Sequence, residues 1–423
     1  MELLPRTMGT RPRVALELRP EGVVAARAEG SVGVLGAVAG GEFQEGMLRP
    51  GLRGGNIVDR PAISGAVRRA LDGVAARGGE RSKYVTLVVP DAAVRVLLLD
   101  FDALPGKPAE ALAVVRFRLK KLLPFDAEHA VVSYQVMSGG RNGVQVLAVA
   151  MPCDVLAEYE GVVTEGGYLP GAVLPSTLAA LAGLDGGEDG VAPALVVNAG
   201  PGAVTTAIVQ GGVLLLHRTV DLGSQMGLDA GSELGDADSG LRVPTDASGS
   251  GGLRTGDRLP MMNRESSAGE LSRQRAVDYD RMDAETEMQA EALRRESLTE
   301  RRIRAMRQYA EGGRAADYEE PAALPTEANE AVQLLNETEA VSAGREITQA
   351  VSVAAAYFED TLGGTPPVVL AAGTIGAERL GAVLSMYGMD GLRVREMMAA
   401  SAMGAASTIP RGWLAGVWGA LRS

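Results

Sequence analysis

Residues 194–220 read Ala194-Leu195-Val196-Val197-Asn198-Ala199-Gly200-Pro201-Gly202-Ala203-Val204-Thr205-Thr206-Ala207-Ile208-Val209-Gln210-Gly211-Gly212-Val213-Leu214-Leu215-Leu216-His217-Arg218-Thr219-Val220. Apolar and β-branched residues fill three short runs, 194–198, 205–210 and 213–220, with glycine turns between them, so the stretch predicts consecutive strands. The N-terminus opens the same way, with strand, turn and strand over 13–18 and 22–28. Helical patterning follows each opening. After the first, 60–76 predicts a helix that Asp59 caps, with Pro61 in its first turn. After the second, the pattern predicts a long helix over 331–362, a strand over 368–372 and a helix over 377–387. A β-rich opening that occurs twice, with helices behind it each time, predicts a duplicated α/β domain.

Between the two openings, 84–89 and 94–101 read as strands broken by Pro90-Asp91. Pro108 opens a helix that must stop before Pro124, because proline disfavours helix geometry in the residue ahead of it. Residues 130–137 and 144–150 then predict a hairpin through Gly139, Gly140 and Gly143.

A chain of 423 residues fits two or three domains. Acidic residues outnumber basic ones by 53 to 41, a net charge of −12, and there are only two Trp, nine Tyr and five Phe. Such a surface repels nucleic-acid phosphates and offers few rings for base stacking, so nucleic acid is not an expected partner. The single cysteine, Cys153, excludes an internal disulfide and points to a reducing compartment. His129 and His217 cannot build a zinc site with that one thiol. No uncharged apolar run reaches the roughly 18 residues of a membrane span, and no signal-peptide core opens the chain, so a cytoplasmic setting is expected. Residues 225–330 hold 22 acidic residues and 14 arginines, a net −8, and the glycine-, serine- and aspartate-rich first half is expected to be disordered. In the second half, 284–310 has no Gly or Pro and carries Glu-to-Arg pairs four apart, which predicts a long, solvated, marginal helix.

Absent motifs narrow the chemistry. There is no G-x-x-x-x-G-K-[ST], G-x-S-x-G, H-E-x-x-H or C-x-x-C, and Gly200-Pro201-Gly202 precedes a strand where a dinucleotide fingerprint precedes a helix. The glycine loop 198–205 reads either as an ordinary hairpin or as a turn that presents backbone N–H groups to a phosphate.

Residues 88–136 hold, in order, Val89-Pro90, Val94, Leu104-Pro105, Arg116-Phe117, Leu123-Pro124-Phe125-Asp126 and Tyr134-Gln135-Val136. In these motifs and their spacing the chain resembles the PilM family, the actin-like cytoplasmic component of type IV pilus assembly. Upstream, Gly55-Asn56-Ile57-Val58-Asp59 is similar to the family's G-x-I-x-D. Downstream, Tyr168-Leu169-Pro170, Ser176-Thr177-Leu178 and residues 417–422 are similar to later family segments.

The resemblance implies an α/β fold of two actin-like, ribonuclease-H-like halves with a small inserted α+β subdomain. The expected parts are a first domain of 9–83, 152–192 and 405–423, a subdomain of 84–151, a second domain of 193–224 and 331–404, and the charged insert of 225–330. It also implies ATP with magnesium in the cleft. Its implied partners are the cytoplasmic tail of a PilN-like membrane protein, beside the subdomain, and pilus motor ATPases. Self-association and a location at the inner membrane come with it.

Departures from the family pattern bear on the nucleotide. Where the first phosphate loop has D-x-G-S, this chain has Glu17-Leu18-Arg19-Pro20-Glu21-Gly22. Pro20 has no N–H to donate, and Glu21 sets a negative charge beside a phosphate. Asn198 replaces an aspartate that would hold Mg²⁺ or its water. Gly200, Gly202 and Thr205 survive, and the adenosine loop reads Ala371-Ala372-Gly373-Thr374-Ile375-Gly376. The vestigial nucleotide set is therefore Glu17, Asn198, Gly200, Gly202, Thr205, Gly373 and Gly376. The expected reading is a scaffold whose ATP binding is weak or lost, with no catalytic or metal residue assigned. An active, FtsA-like actin ATPase and a GspL-like type II secretion component are the rival readings.

The candidate partner-binding residues are Phe117, Arg118, Lys120, Lys121, Pro124 and Phe125. The basic ones either complement the helix dipole or face an anionic lipid or acidic tail. Trp413, Leu414, Val417, Trp418 and Leu421 recur at helical spacing, and core packing is the expected use of that stripe. Met1-Glu2-Leu3-Leu4-Pro5 is similar to the peptide with which PilN tails begin, which makes it a candidate occupant of the chain's own groove.

Overall fold

The computed structural model describes residues 12–29, 33–77, 83–140, 143–184, 192–222, 326–404 and 407–422. The N-terminal pentapeptide, residues 284–310 for which a helix is expected, and nearly all of the charged insert lie outside the described residues.

β1 (Val14–Arg19) is wholly buried, with Val14, Leu16 and Leu18 on one face and Ala15, Glu17 and Arg19 on the other, as expected of a strand with layers above and below it. It turns at Pro20-Glu21 into antiparallel β2 (Gly22–Glu29), which pairs with β3 (Val34–Glu42). On its other side β1 runs parallel to β4 (Tyr84–Val89), and β4 to β8 (Leu169–Pro175), giving the order β3-β2-β1-β4-β8. The second sheet repeats the plan with β9 (Ala194–Ala199), β10 (Ala203–Gln210), β11 (Val213–Asp221), β12 (Val369–Ala372) and β13 (Val394–Glu396). Its order is β11-β10-β9-β12-β13, with the same alternation of antiparallel and parallel pairs. Two sheets with one strand order and one set of directions are the duplicated, actin-like architecture.

A third sheet, wholly antiparallel, joins β5 (Arg95–Phe101), β6 (Ala130–Gly140) and β7 (Gly143–Pro152) in the order β5-β7-β6. It covers its own core of Leu99, Val115, Leu119, Val132 and Val146 with α2 (Pro108–Leu119). Pro108 opens this helix as expected, but the helix ends at Leu119, a turn before Pro124. There the chain tightens: Lys121 N–H bonds to the Arg118 carbonyl and Leu122 N–H to that of Leu119, so i→i+3 turns replace the final helical turn.

In the first half, α1 (Arg60–Ala75) begins where Asp59 accepts from Ala62 N–H at 3.0 Å. It packs with α3 (Cys153–Glu165) on a core that includes Leu16, Leu87, Ile63, Leu71 and Tyr159. α4 (Ser176–Ala182) follows β8 directly. In the second half, α5 (Thr326–Leu362) starts five residues ahead of the predicted 331, and α6 (Gly376–Met386) follows β12.

The closing helix α7 (Arg411–Arg422) buries Leu414, Val417 and Trp418, and half-buries Trp413 and Leu421. Its glycines make close contact with their neighbours. A Cβ on Gly419 would stand 2.0 Å from the Ala179 carbonyl oxygen, one on Gly416 2.4 Å from Glu17 Oε2, and one on Gly412 2.5 Å from the Gly373 carbonyl.

Candidate functional site

The carboxyl ends of the parallel strands in both sheets converge, which is where open α/β sheets place their ligands. β1 delivers Arg19 and the Pro20-Glu21 turn, β4 delivers Asp91, and β8 delivers Ser176 and Thr177 at the start of α4. From the second sheet come Asn198 at the end of β9, the Gly200–Gly202 turn and Thr374 after β12. A cavity of about 530 Å³ lies between them, lined among others by Arg19, Glu21, Arg49, Asp91, Asn198 and Gly200.

The floor of that cavity is a polar network that leaves Glu17 Oε2 and Arg19 Nε without a hydrogen-bond partner. Arg19 Nη2 donates to Glu17 Oε1 at 2.7 Å, to Ser176 Oγ at 2.8 Å and to Asn198 Oδ1 at 3.1 Å. Ser176 Oγ donates in turn to Glu17 Oε1 at 2.7 Å. The Asn198 amide donates to Thr177 Oγ1 at 2.9 Å, Ser176 Oγ at 3.0 Å and Asp91 Oδ2 at 3.3 Å. Asp91 also takes the Thr177 hydroxyl at 2.5 Å and the Thr177 N–H. Burial pushes the Glu17 carboxyl above the usual carboxylate range, while Arg19 and the Ser176 hydroxyl pull it back. His217, on β11, is held below its ordinary range by burial, with Asp91 acting against that shift.

A second link crosses the cleft near its mouth. Glu21 Oε1 accepts from Thr374 Oγ1 at 2.6 Å and lies 2.7 Å from where a Cβ on Gly200 would stand. A side chain at 200 would require that carboxylate to shift.

Of the nucleotide set read from sequence, Asn198, Gly200, Gly202 and Thr205 share the cavity. Thr205 Oγ1 sits 3.0 Å from Thr219 Oγ1. Glu17 lies beneath Arg19, fully buried. Gly373 packs on the β9 backbone, 2.3 Å from the Ala199 carbonyl by its missing Cβ, and Gly376 faces Glu396, so both serve close packing. Sequence reasoning missed Asp91, Ser176 and Thr177, and read Arg19 only as part of an altered loop. Its one signal was a buried-strand pattern that ends in an arginine.

The partner-binding set divides as well. Phe117 is 68% exposed on the outer face of α2, with Val114, Arg118, Lys121 and Leu122 exposed around it. Lys120 pairs with Glu128. Pro124 is exposed, whereas Phe125 turns inward and packs against the subdomain core.

The fold and the cleft define the class: an actin-like α/β protein whose two sheets meet at a polar cavity. Among solved structures, the chain is similar to one in a PilM–PilN type IV pilus biogenesis complex, at 15% identity over 97% of each chain and a TM-score of 0.57, and the likeness is one of fold. It is also similar to the ethanolamine utilization protein EutJ from Carboxydothermus hydrogenoformans, at 13% identity, 100% and 91% coverage and a TM-score of 0.39. The cytoplasmic domain of EpsL, an inner-membrane component of the type II secretion system of Vibrio cholerae, follows at 12% identity, 49% and 71% coverage and a TM-score of 0.31. No family model and no curated protein matches the sequence. Among the described residues, no helix is long and apolar enough to cross a membrane, and no cluster of His, Cys, Asp and Glu is arranged to hold a metal.

Proposed function

We propose that this chain is an adaptor of a type IV pilus assembly platform, holding the cytoplasmic tail of a PilN-like membrane protein on its third sheet and α2. The observation that carries the reading is the likeness of fold, over 97% of both chains, to a protein solved in a PilM–PilN complex. The surface of α2 supports it. A phenylalanine exposed to 68%, with exposed Arg118 and Lys121 close by in sequence, offers a tail both apolar burial and positive charge, on a molecule whose net charge is −12. The reading places the chain at the inner face of the membrane through its partner, with motor ATPases and further copies of itself as additional contacts.

The cleft supports an adaptor in preference to a nucleotide-driven motor. A phosphate at the Gly200–Gly202 turn would meet the Glu21 carboxylate, and a divalent cation beside Asn198 would meet the Arg19 guanidinium. Calorimetry tests both halves of the proposal. A synthetic PilN-type tail peptide is expected to bind, and Phe117→Ala to weaken it about tenfold, the equivalent of losing ~1.4 kcal/mol of apolar burial. Mg-ATP is expected to give no binding heat at millimolar concentration. Micromolar Mg-ATP binding overturns the loss of nucleotide, and a peptide that ignores Phe117→Ala overturns the seat on α2.

A further inference from the structure

We infer that Arg19 and Glu21 are built-in substitutes for the cation and the anion of a bound nucleotide, and that they latch the two sheets together with no ligand present. The inference rests on the reading above that the cleft does not take ATP. It goes further by saying what holds the cleft shut in its place.

Arg19 supplies the cation. Arg19 is 7% exposed, and its guanidinium sits between Glu17 and Ser176 from the first half and Asn198 from the second. A divalent ion in a cleft does this work by drawing oxygen ligands from both sides onto one charge. A guanidinium does it with directed N–H groups, stays charged at every relevant pH, and is covalently attached.

Glu21 supplies the anion. It rides on the two-residue turn between β1 and β2, and its carboxylate reaches the glycine turn after β9 and the Thr374 hydroxyl after β12. Glycine turns and hydroxyls of this kind are what phosphate oxygens use. The chain thus has one charge of each sign on residues 19 and 21, both fixed to the first sheet and both engaged by the second. The buried Arg19–Glu17 ion pair adds little net stability, because desolvation offsets the attraction, but such contacts do select one geometry. The geometry selected is the closed cleft. Glu21 and a phosphate compete for the same turn, so the latch and a nucleotide exclude one another.

The test uses the full chain with Cys153→Ser, Arg69→Cys on α1 and Glu359→Cys on α5, spin-labelled for distance measurement; all three positions are exposed. Without nucleotide, the parent is expected to give one narrow distance that Mg-ATP leaves unchanged. Glu21→Ala and Thr374→Val are each expected to broaden it and add a longer-distance population, and the double variant to look like either single one. Two outcomes overturn the latch: a parent distribution already broad without ligand, or variants whose distances match the parent. If Thr374→Val fails to fold, Glu21→Ala alone decides, since its side chain lies at the cleft mouth. Mg-ATP heat measured on the same parent is read separately. Micromolar binding there overturns the nucleotide-free reading, whereas unchanged distances in the variants overturn the latch alone.

Discussion

Gly419→Ala is expected to lower the unfolding free energy by about 2 kcal/mol or more, although alanine is the better helix former. Inside a helix the exchange by itself favours alanine by roughly 1 kcal/mol. At this position the new methyl would stand 2.0 Å from the Ala179 carbonyl oxygen and 2.9 Å from the Gly183 nitrogen. Both are backbone atoms at the α4 side of the contact, and backbone gives way only by moving the helix. Overpacking of this kind costs ~1–3 kcal/mol and sometimes more, so the clash wins over propensity. Gly381 on α6 is the control, because its nearest neighbours would be 3.8 Å away on Val394. Gly381→Ala is expected to raise stability by up to about 1 kcal/mol. Urea unfolding of the two variants checks the argument, and equal effects at 419 and 381 would sink it.

Asn198→Asp is expected to cost about 2–4 kcal/mol at neutral pH, even though it restores the residue type that a magnesium site would use. The Asn198 amide donates to Asp91, Ser176 and Thr177, and a carboxylate cannot. The new charge would face Asp91 across a contact that is now 3.3 Å, with Glu17 bound to the same arginine. Leaving buried groups unpaired costs ~1–3 kcal/mol, and a further buried carboxylate, sharing Arg19 with Glu17 and set beside Asp91, adds to that. Like charges raise the folded-state pKa of the introduced carboxyl above its unfolded value of ~3.9. The penalty is therefore largest when that group is ionised and shrinks as falling pH protonates it. Denaturant midpoints at pH 7 and pH 5 test this: the deficit should narrow at pH 5, and a variant as stable as the parent at pH 7 would refute it. Added magnesium is expected to rescue nothing, because Arg19 already occupies the cation's place.

How much of this was legible in the sequence depended on the kind of signal. β1, β4 and β9 are six-residue, mostly apolar runs, interrupted by Glu17 and Arg19 in β1, Thr86 in β4 and Asn198 in β9, and the capped, proline-opened α1 announces itself. β3 was not read because Gly36, Gly40 and Gly41 make it resemble a loop. It holds as a strand through its pairing with β2, across a bulge at Arg27/Ala28. β8 carries Pro170, Gly171 and Pro175, a composition that argues against a central strand, and it is an edge strand where proline is tolerated. α4 is seven residues, buried throughout, and too short to show a helical period.

The cleft was half legible. Asn198 and the glycine turn stood out locally. Arg19 lies 157 residues from Ser176 and 179 from Asn198 in sequence, and no local pattern foretells that the sheets bring them within hydrogen-bond reach. Its partner Glu17 looked like a remnant of a phosphate loop and is instead the counter-ion of the arginine two residues on.

The third sheet leaves and rejoins the chain through neighbours. β5 departs after Asp91 and β7 returns to Pro152, and the two are hydrogen-bonded along their whole length, from Arg95 opposite Ala150 to Phe101 opposite Val144. Departure and return are therefore pinned side by side, and the closure entropy of the excursion is met within the excursion itself. Mutations on the exposed face of α2 need not propagate to β1 or β9, whereas β6 sets Met137 in one core with Val196 of β9 and Leu214 of β11. Such an arrangement lets selection work on the two surfaces separately. A lineage can exchange whom it holds without altering what fills its cleft, or abandon a ligand in the cleft while keeping its partner.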